Sequence, residues 1–198
     1  MPEPLENPLY YLHNFRQVLD WLAQRYADLL DAEEAHFIQQ FDRLPQASQA
    51  LLVRLVMRKG VHFRAGKLNY PEIGCAHAAA RPLKALGWVD DQCLLGFDEL
   101  FGLLQKGELL GAFQPWIEQP KGKKADWLEQ LAPQFDERRC FAHWCPELDD
   151  VLYSVTVMDL CDRLRLMFFG NLHQDWSEFV LADLGIYTYE KVEFCAQS

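Results

Sequence analysis

The chain has 198 residues, half of them hydrophobic and 13% aromatic, which is enough apolar surface for one sizeable core or two small ones and argues against a disordered chain. Its net charge of −10 excludes a protein that coats nucleic acid uniformly, although it permits a local basic groove. No apolar run approaches the roughly 20 residues of a transmembrane helix, and residues 1–4 do not begin a secretory leader. We therefore predict a cytoplasmic protein, nucleoid-associated in a bacterium or nuclear in a eukaryote. Its six irregularly spaced cysteines predict reduced thiols.

Two helices are predicted before residue 44. Apolar residues recur at helical spacing from Leu12 to Leu29, after Asn7-Pro8, and residues 32–44 continue the pattern. Up to residue 50 the chain carries eight acidic and three basic residues, which makes these helices a poor surface for DNA. Their apolar residues are predicted to pack in the core.

A third helix is predicted to follow directly. The apolar stripe from Leu51 to Val56, a start signal at Pro45 and a stop signal at Gly60 predict a helix over Gln46–Lys59. Arg54 and the basic residues near its end lie off that stripe.

Residues 61–89 complete this module. Alternating apolar and basic residues over Val61–Tyr70 predict two short strands that turn at Ala65-Gly66. A further helix is predicted over Ala76–Leu86, followed by a strand at Trp88-Val89. The order helix, short strand, helix, strand is the outline of a winged-helix module, in which one helix enters a DNA groove and nearby basic residues hold phosphates.

Most of the positive charge lies in this module. It contains seven basic residues and one acidic residue, Glu72, between positions 54 and 84, a local net charge of +6 within a chain of net charge −10. Such a reversal of sign focuses an anionic ligand on one face. The predicted phosphate contacts are therefore Arg54, Arg58, Lys59, Arg64, Lys67, Arg81 and Lys84. The alternative is that these are solvated charges on helix faces.

Residues 94–133 predict two helices separated by a loop. The first runs over Phe97–Phe113, the loop contains Pro115 and Pro120, and the second includes residues 125–131. This arrangement resembles a SAP motif, a small helix-loop-helix unit that binds DNA, although its loop is longer. A helix N-terminus attracts phosphate, so lysines placed there predict further contacts: Lys121, Lys123 and Lys124. The alternative is that these lysines only solubilise the loop.

One cluster of residues in the sequence suggests a metal site: Cys140, His143 and Cys145. A structural zinc site usually needs four ligands, and no second pair lies at a suitable spacing, so packed or exposed residues are predicted instead. Likewise, Asp149-Asp150 is predicted to cap a following helix rather than to bind a metal.

The last third predicts mainly helix. A strongly apolar segment predicts one long helix over Val151–Phe169, Trp176–Leu184 predicts another, and the alternation of Ile186–Phe194 predicts a strand.

Motifs for catalysis are absent from the sequence. Metal-dependent nucleases of the restriction type need a lysine two residues after a metal-binding carboxylate, and neither Asp-x-Lys nor Glu-x-Lys occurs. There is also no P-loop, G-x-G-x-x-G, G-x-S-x-G or H-E-x-x-H. The sequence therefore predicts binding rather than catalysis, with no catalytic or metal-binding residue in this chain.

Separated motifs in register resemble the amino-terminal region of the Fanconi-anaemia-associated nuclease family: Tyr10-Tyr11-Leu12 with Phe15 and Val18-Leu19, then Leu51–Leu55 with Arg58-Lys59, then Lys67-Leu68 with Tyr70 and Glu72-Ile73. The resemblance implies a structure-specific DNA repair nuclease, a 5′ flap endonuclease and 5′-3′ exonuclease that helps to unhook interstrand cross-links. It also implies Mg²⁺ or Mn²⁺ in a carboxy-terminal VRR-NUC domain. This sequence lacks that domain, so what is implied here is the part that holds DNA.

Together these observations predict a mainly α fold with a small β component, a helical bundle with a winged-helix-like module, a SAP-like module and further helices. The predicted domains are amino-terminal helices over 1–43, the winged-helix-like module over 44–93, the SAP-like module over 94–133 and the start of a helical region, continued in a longer chain, over 134–198.

The predicted function is binding of flapped or branched duplex DNA as the amino-terminal part of a repair nuclease. Its predicted partners are that DNA and the carboxy-terminal nuclease part of the same protein, which would carry out phosphodiester hydrolysis. The alternative is a helical protein-interaction module that uses exposed aromatic residues and binds no nucleic acid. Incubation of the chain alone with flap DNA and Mn²⁺ is expected to give no cleavage.

Overall fold

The computed structural model describes residues 7–170 and 176–177. Its helices are α1 (Tyr10–Arg25), α2 (Ala32–Arg43), α3 (Gln46–Val56), α4 (Ala76–Ala85), α5 (Phe97–Leu103), α6 (Lys106–Phe113), α7 (Lys124–Leu131), α8 (Phe141–Trp144) and α9 (Met158–Phe169). The strands are β1 (His62–Arg64), β2 (Val89–Asp90), β3 (Leu94–Leu95), β4 (Arg139–Cys140) and β5 (Leu152–Val155). The mainly α fold with a small β component is thus confirmed.

The described chain divides into two compact units. The first comprises residues up to 61, residues 69–89 and residues from 155 onward, and the second comprises residues 62–68 and 90–154. The predicted domain boundaries at residues 44, 94 and 134 stay predictions. None of the helices between residues 7 and 177 that the structure describes has the length and hydropathy needed to cross a bilayer.

The first unit is a helical bundle built around α3, which packs against α1 and α4. Eight of the eleven residues of α3 are buried, as its nearly continuous apolar sequence requires. The inner face of α4 is formed by Ala76, Ala79, Ala80 and Leu83. Because three of these side chains are methyl groups, α4 can lie close to α3.

Aromatic residues fill the remaining core of the first unit. The predicted apolar face of α1 is buried from Tyr11 to Leu22, and α1 also packs against α2 and α9. The predicted extension of this face to Leu29 was wrong, because α1 ends at Arg25 and Leu29 is exposed. The ring centroids of Phe15 and Phe41 are 5.3 Å apart, and those of Phe37 and Trp88 are 4.5 Å apart. These contacts fix α1, α2 and the segment after α4 in one core.

The second unit has its own core, to which α5, α6, α7, α8 and β5 contribute. Its fully buried members include Leu95, Leu100, Leu109, Trp127 and Leu131. Strand β1 pairs antiparallel with β5, with His62 opposite Ser154 and Arg64 opposite Leu152, and the sheet order is β1-β5-β2. Strands β3 and β4 form a separate antiparallel pair, with Leu94 opposite Cys140.

Three sequence predictions for the middle of the chain were wrong in detail. Helix α3 ends at Val56, three residues before the predicted end. The second strand predicted within residues 61–70 is absent, because Ala65–Lys67 forms a turn of 3-10 helix and β1 finds its partner in β5 instead. The helix predicted over 97–113 is broken at Gln105, whose N–H bonds Glu108 Oε1 at 2.8 Å and so starts a second helix.

The long helix predicted over Val151–Phe169 was also wrong in its first part. Residues 152–155 form β5, all four of them buried, and helix begins only at Met158. A short apolar run is compatible with either a strand or a helix. Here the segment is a strand because it pairs with β1. Of the helix predicted over 176–184, only Trp176 and Ser177 lie among the described residues, where they are helical; the strand predicted over 186–194 lies outside them.

Candidate nucleic-acid interface

The outer face of α4 carries two of the predicted basic residues. Because its inner face is apolar, Arg81 and Lys84 fall on the exposed side, one turn apart. The flanking exposed residues Ala78 and Ala85 have minimal side chains. An exposed helix face with two cations and two small side chains is therefore presented to solvent.

Arg58 and Lys59 lie just after the end of α3 and are both exposed. The helix ends at Val56, before the stop predicted at Gly60, which adopts φ of +84° in the following loop, a conformation that glycine reaches without strain. Both cations therefore lie in the exposed segment between the end of α3 and that glycine.

Arg54, in contrast, is engaged inside the first unit. Its Nη2 lies 2.8 Å and its Nε 3.1 Å from Glu72 Oε2, and the Tyr11 hydroxyl donates to the same oxygen at 2.7 Å. The guanidinium carbon lies 4.2 Å from the Tyr11 ring centroid and 4.8 Å from that of Tyr70. The side chain is 25% exposed, against 7% for Glu72. Arg54 thus neutralises the one acidic residue of the basic stretch.

The ionisation of this cluster is shifted in both directions. Burial works to raise the pKa of Glu72, but the hydrogen bonds from Tyr11 and Arg54 outweigh it and the pKa is lowered. Burial, and then the adjacent Glu72 carboxylate, raise the pKa of Tyr11. Glu72 is therefore a carboxylate and Tyr11 a neutral donor at neutral pH.

Arg64 is the most completely paired cation of the second unit and is 9% exposed. Its Nη1 and Nη2 donate to the two carboxylate oxygens of Glu108 at 2.7 and 2.8 Å. Its Nε donates to Asp150 Oδ2 at 2.8 Å, and Nη1 also approaches the Leu103 carbonyl oxygen at 3.3 Å. The hydrogen bonds from Arg64 lower the pKa of Glu108 to about 2. The guanidinium thus donates four hydrogen bonds within the second unit.

Asp150 explains why Arg64 lies there, and it corrects a prediction. Asp149-Asp150 was predicted to cap a helix, but β5 follows instead. The Oδ1 atom of Asp150 accepts from the backbone N–H groups of Gly66 at 2.8 Å and Val151 at 2.9 Å, while Oδ2 holds Arg64. The carboxylate therefore ties β1 and its following turn to the start of β5.

Lys67 lies in that turn and is exposed. Its charge contributes to the lowered pKa of Glu108, after the hydrogen bonds and charge of Arg64. The ammonium group of Lys67 thus acts on Glu108 through its charge. Among the described residues, no hydrogen bond joins the two side chains.

The three loop lysines differ from one another. Lys121 and Lys123 are exposed. Lys124 is half-buried, its Nζ donates to the Leu104 carbonyl oxygen at 2.7 Å and lies 5.5 Å from the Phe101 ring centroid. Because Leu104 is the C-cap residue of α5, Lys124 satisfies a carbonyl at the end of that helix.

Lys106 is a cation that the sequence analysis missed. It is exposed, and its Nζ lies 5.0 Å from the ring centroid of Trp127, in the same unit as the loop lysines. No sequence signal marks it, because it begins a helix well before them in the chain.

The described residues contain no group of three or more His, Cys, Asp or Glu side chains arranged to hold a metal ion. Cys140 and Cys145 are buried whereas His143 is exposed, and burial raises the pKa of the Cys145 thiol to about 12. These two cysteines are core residues.

Comparison with known proteins finds two family models that match consecutive parts of the chain. The family models "FAN1, HTH domain" and "Fanconi anemia-associated nuclease SAP domain" match residues 9–90 and 94–144. The Fanconi-associated nuclease 1 homolog of Pseudomonas aeruginosa is 58% identical over 194 residues, which cover 98% of this chain and 35% of that protein. The homolog of Arabidopsis thaliana is 29% identical over 192 residues, covering 90% of this chain and 21% of that protein.

Solved structures give the same result. A crystal structure of paFAN1 bound to 2-nt 5′ flap DNA with a gap matches with a TM-score of 0.87 at 57% identity, over 93% of this chain and 33% of that one. The complex with 1-nt 5′ flap DNA matches with a TM-score of 0.85 at 58% identity, over 91% of this chain and 33% of that one.

A helix-turn-helix domain followed by a SAP domain is therefore the class of architecture that this chain represents. With both domain models and a relative of 58% identity along nearly its whole length, the chain belongs to the Fanconi-associated nuclease family. The resemblance found in the sequence motifs is thereby confirmed. The chain spans between about a fifth and about a third of the length of the relatives it matches.

Proposed function

We propose that this chain binds the duplex of flapped or branched DNA through its phosphates, as the DNA-holding part of a structure-specific repair nuclease. The observation that supports it best is the match at 57% identity to a protein crystallised with 5′ flap DNA. Exposed cations in both units provide the chemistry that phosphates require.

In this proposal α4 is the helix that approaches a DNA groove. In helix-turn-helix domains the second helix of the pair enters the major groove, and α4 packs on α3 in that order along the chain. Arg81 and Lys84 on its outer face would contact phosphates, while the small Ala78 and Ala85 would permit close approach.

The predicted DNA contacts divide into two groups. Arg54, Arg64 and Lys124 hold elements of the fold together, and we assign them structural roles. The exposed cations are proposed as the contacts with phosphate: Arg58, Lys59, Lys67, Arg81, Lys84, Lys121 and Lys123. Such contacts position the protein with little reading of base sequence.

The activity proposed for the whole protein is phosphodiester hydrolysis near 5′ flaps, as an endonuclease and 5′-3′ exonuclease in interstrand cross-link repair. The catalytic residues and the Mg²⁺ or Mn²⁺ would belong to a VRR-NUC part within the two-thirds of the Pseudomonas aeruginosa relative that this chain does not match. That nuclease part is the proposed protein partner. The nucleoid of a bacterium, or the nucleus of a eukaryote, is the proposed location.

A salt-dependent titration with fluorescent flap DNA tests the DNA-binding proposal. Charge reversal by Lys59→Glu or Arg81→Glu should weaken binding and reduce the slope of log K against log[salt] by about 0.9 for each phosphate that is no longer neutralised. The matched control is Arg25→Glu, which reverses an exposed charge at the end of α1. Affinity that is absent, indifferent to salt, or equally lowered by the control would contradict the proposal.

One observation supports the alternative of a protein-interaction module. Leu29 is 67% exposed, close in the chain to a shallow depression lined by Ala23, Ala27, Leu30 and Ala35. If a protein partner docks there, Leu29→Glu would abolish its binding and leave the flap-DNA titration unchanged.

A further inference from the structure

Trp116 is a large apolar side chain held rigidly at the surface of the second unit. It is 43% exposed and ends a turn of 3-10 helix over Gln114–Trp116. Its ring packs edge-on against Phe135, with centroids 5.5 Å apart, and its carbonyl oxygen accepts from Gln130 Nε2 at 2.9 Å. Since both ring and backbone are held, the exposed part of the indole has little freedom to fold back.

A lysine-bearing turn follows it in the chain. The Gln119 carbonyl oxygen accepts from the backbone N–H of Gly122 and from Trp127 Nε1, both at 2.8 Å. A Cβ atom at Gly122 would lie 3.0 Å from that oxygen and 3.2 Å from Trp127 Nε1, so a larger residue would force these neighbours to shift. The turn presents Lys121 at its tip, and Lys123 follows, both exposed.

Helix α7 brings these two features together. It holds the Trp116 carbonyl through Gln130 and the Gln119 carbonyl through Trp127, and residues three apart are neighbours on a helix face. Lys106 approaches the ring of the same Trp127 to 5.0 Å. The backbone that carries the exposed indole, the turn that carries Lys121 and the ammonium group of Lys106 thus all contact α7, which Lys123 directly precedes.

The acidic residues nearest in the chain to Lys121 and Lys123 are Glu118 and Asp126, both exposed. Glu108, two residues after Lys106, is paired with Arg64. Glu118 and Asp126 reduce the local potential but leave one more cation than anion among Lys106, Lys121 and Lys123 and these two acids. A single aromatic ring bordered by lysines offers little contiguous apolar area, which disfavours a protein partner.

We propose that this surface, defined by Trp116, Lys106, Lys121 and Lys123, binds single-stranded DNA, with a base stacked on the Trp116 indole and the lysines in contact with adjacent phosphates. A base in a continuous duplex has both faces covered, so an indole can stack only on an unpaired base or at a strand end. Every base has a π-face, so the site is tolerant of sequence. The inference rests on the proposed function, because it assigns the unpaired strand of a flapped substrate to this surface.

Fluorescence anisotropy with a labelled oligo(dT) strand and with a blunt duplex of equal length tests this proposal. Trp116→Ala should raise the Kd for oligo(dT) by about 5-fold to about 150-fold, which corresponds to the 1–3 kcal/mol found per stacked base. The Kd for the duplex should change by less than about twofold, within the ±0.5 kcal/mol typical of a neutral surface substitution. Trp116→Phe keeps an aromatic face and should bind oligo(dT) more tightly than the alanine variant.

Leu94→Ala is the matched control, because Leu94 is also an exposed apolar residue of the same unit, at 53% exposure. It should leave both constants unchanged. Near-UV circular dichroism and the thermal midpoint establish that each variant is folded. On the unaltered chain, a strand containing 5-iodouracil should cross-link to Trp116 on irradiation, as located by peptide mass spectrometry.

Equal loss of oligo(dT) and duplex binding in Trp116→Ala, unchanged oligo(dT) binding, or cross-links only elsewhere would overturn the stacking proposal. Failure of the proposed function looks different: there the blunt duplex does not bind, or Arg81→Glu leaves its affinity unchanged. The two ideas are therefore tested by separate substitutions and separate ligands.

Discussion

Glu108→Gln tests whether the paired arginine of the second unit stabilises the fold. Glu108 has two tasks: Oε1 accepts from the Gln105 N–H at 2.8 Å, and both carboxylate oxygens accept from Arg64 at 2.7 and 2.8 Å. Glutamine keeps a carbonyl oxygen for the helix cap, but it removes the negative charge and one acceptor. The substitution therefore isolates the ion pair from the start of α6.

The magnitude is bounded by the pKa of Glu108, which the hydrogen bonds from Arg64, then the Gln105 N–H and the charges of Arg64 and Lys67, lower from 4.5 to about 2. A shift of this size corresponds to about 3 kcal/mol at neutral pH. Because the Glu108 side chain is 21% exposed, solvent screening reduces the expected loss to about 2 kcal/mol. The carboxylate is favoured in the folded state, so this stability is fully present above pH 4.5 and is lost as the pH falls toward 2.

Urea unfolding at pH 7 and at pH 3 measures both quantities. At pH 7 the variant should be less stable by about 2 kcal/mol, and at pH 3 the difference should shrink to less than half of that, because the unaltered protein has lost most of the charge effect. Glu118→Gln, at an exposed glutamate of the same unit, should change stability by less than about 0.5 kcal/mol. A loss that is absent at pH 7, or equal at both pH values, would refute the role given to the pair.

Three further substitutions or treatments follow from single contacts. Tyr11→Phe removes the hydroxyl that donates to Glu72 at 2.7 Å and should lower the free energy of unfolding by about 1.5 kcal/mol in a urea titration. Alkylation of the folded protein at pH 8 should modify exposed Cys75 and spare Cys145, because burial raises the pKa of the Cys145 thiol to about 12. Alkylated Cys145 in the mass spectrum would contradict this prediction. Gly122→Ala places a Cβ 3.0 Å from a carbonyl oxygen. It should lower the free energy of unfolding by about 1–3 kcal/mol, which a drop in the thermal midpoint would show.

Helices with a complete local signal were predictable from the sequence. The predicted start of α2 at Ala32 is confirmed, and its reason is the reciprocal hydrogen bonding of Asp31 and Glu34, at 2.9 and 2.7 Å. The helix predicted over 76–86 agrees with α4 to within one residue at its end. Both have an apolar face and a boundary signal encoded within about one helix length of sequence.

Elements that depend on distant partners were not predictable in this way. The segment 152–155 is a strand because β1, some ninety residues earlier in the chain, pairs with it. An apolar run of this length carries no periodicity that separates strand from helix. The break before α6 follows from Glu108. In the sequence this residue fits the exposed face of a continuous helix, but its carboxylate accepts from the Gln105 N–H and pairs with Arg64.

The sign of the charge could be predicted at the candidate interface, but the pairing could not. Arg54 and Arg64 look alike in sequence to Arg58 and Arg81. Their acidic partners lie 18 residues away for Arg54 and 44 and 86 residues away for Arg64. Partners so far apart in the chain cannot be paired without the fold. The sequence therefore predicted the positive charge of this stretch, but it predicted more contacts with DNA than the exposed residues allow.

The number of exposed cations sets a limit on the salt dependence of DNA binding. Ten basic residues were predicted as contacts, but Arg54, Arg64 and Lys124 make internal hydrogen bonds, which leaves at most seven. Each neutralised phosphate contributes about −0.9 to the slope of log K against log[salt], so the slope for duplex DNA should be no steeper than about −6, whereas ten contacts would give about −9. Anisotropy titrations over a series of salt concentrations measure it. A slope near about −9 would mean that more cations contact DNA than these seven, and the limit drawn from the exposed predicted contacts would be wrong.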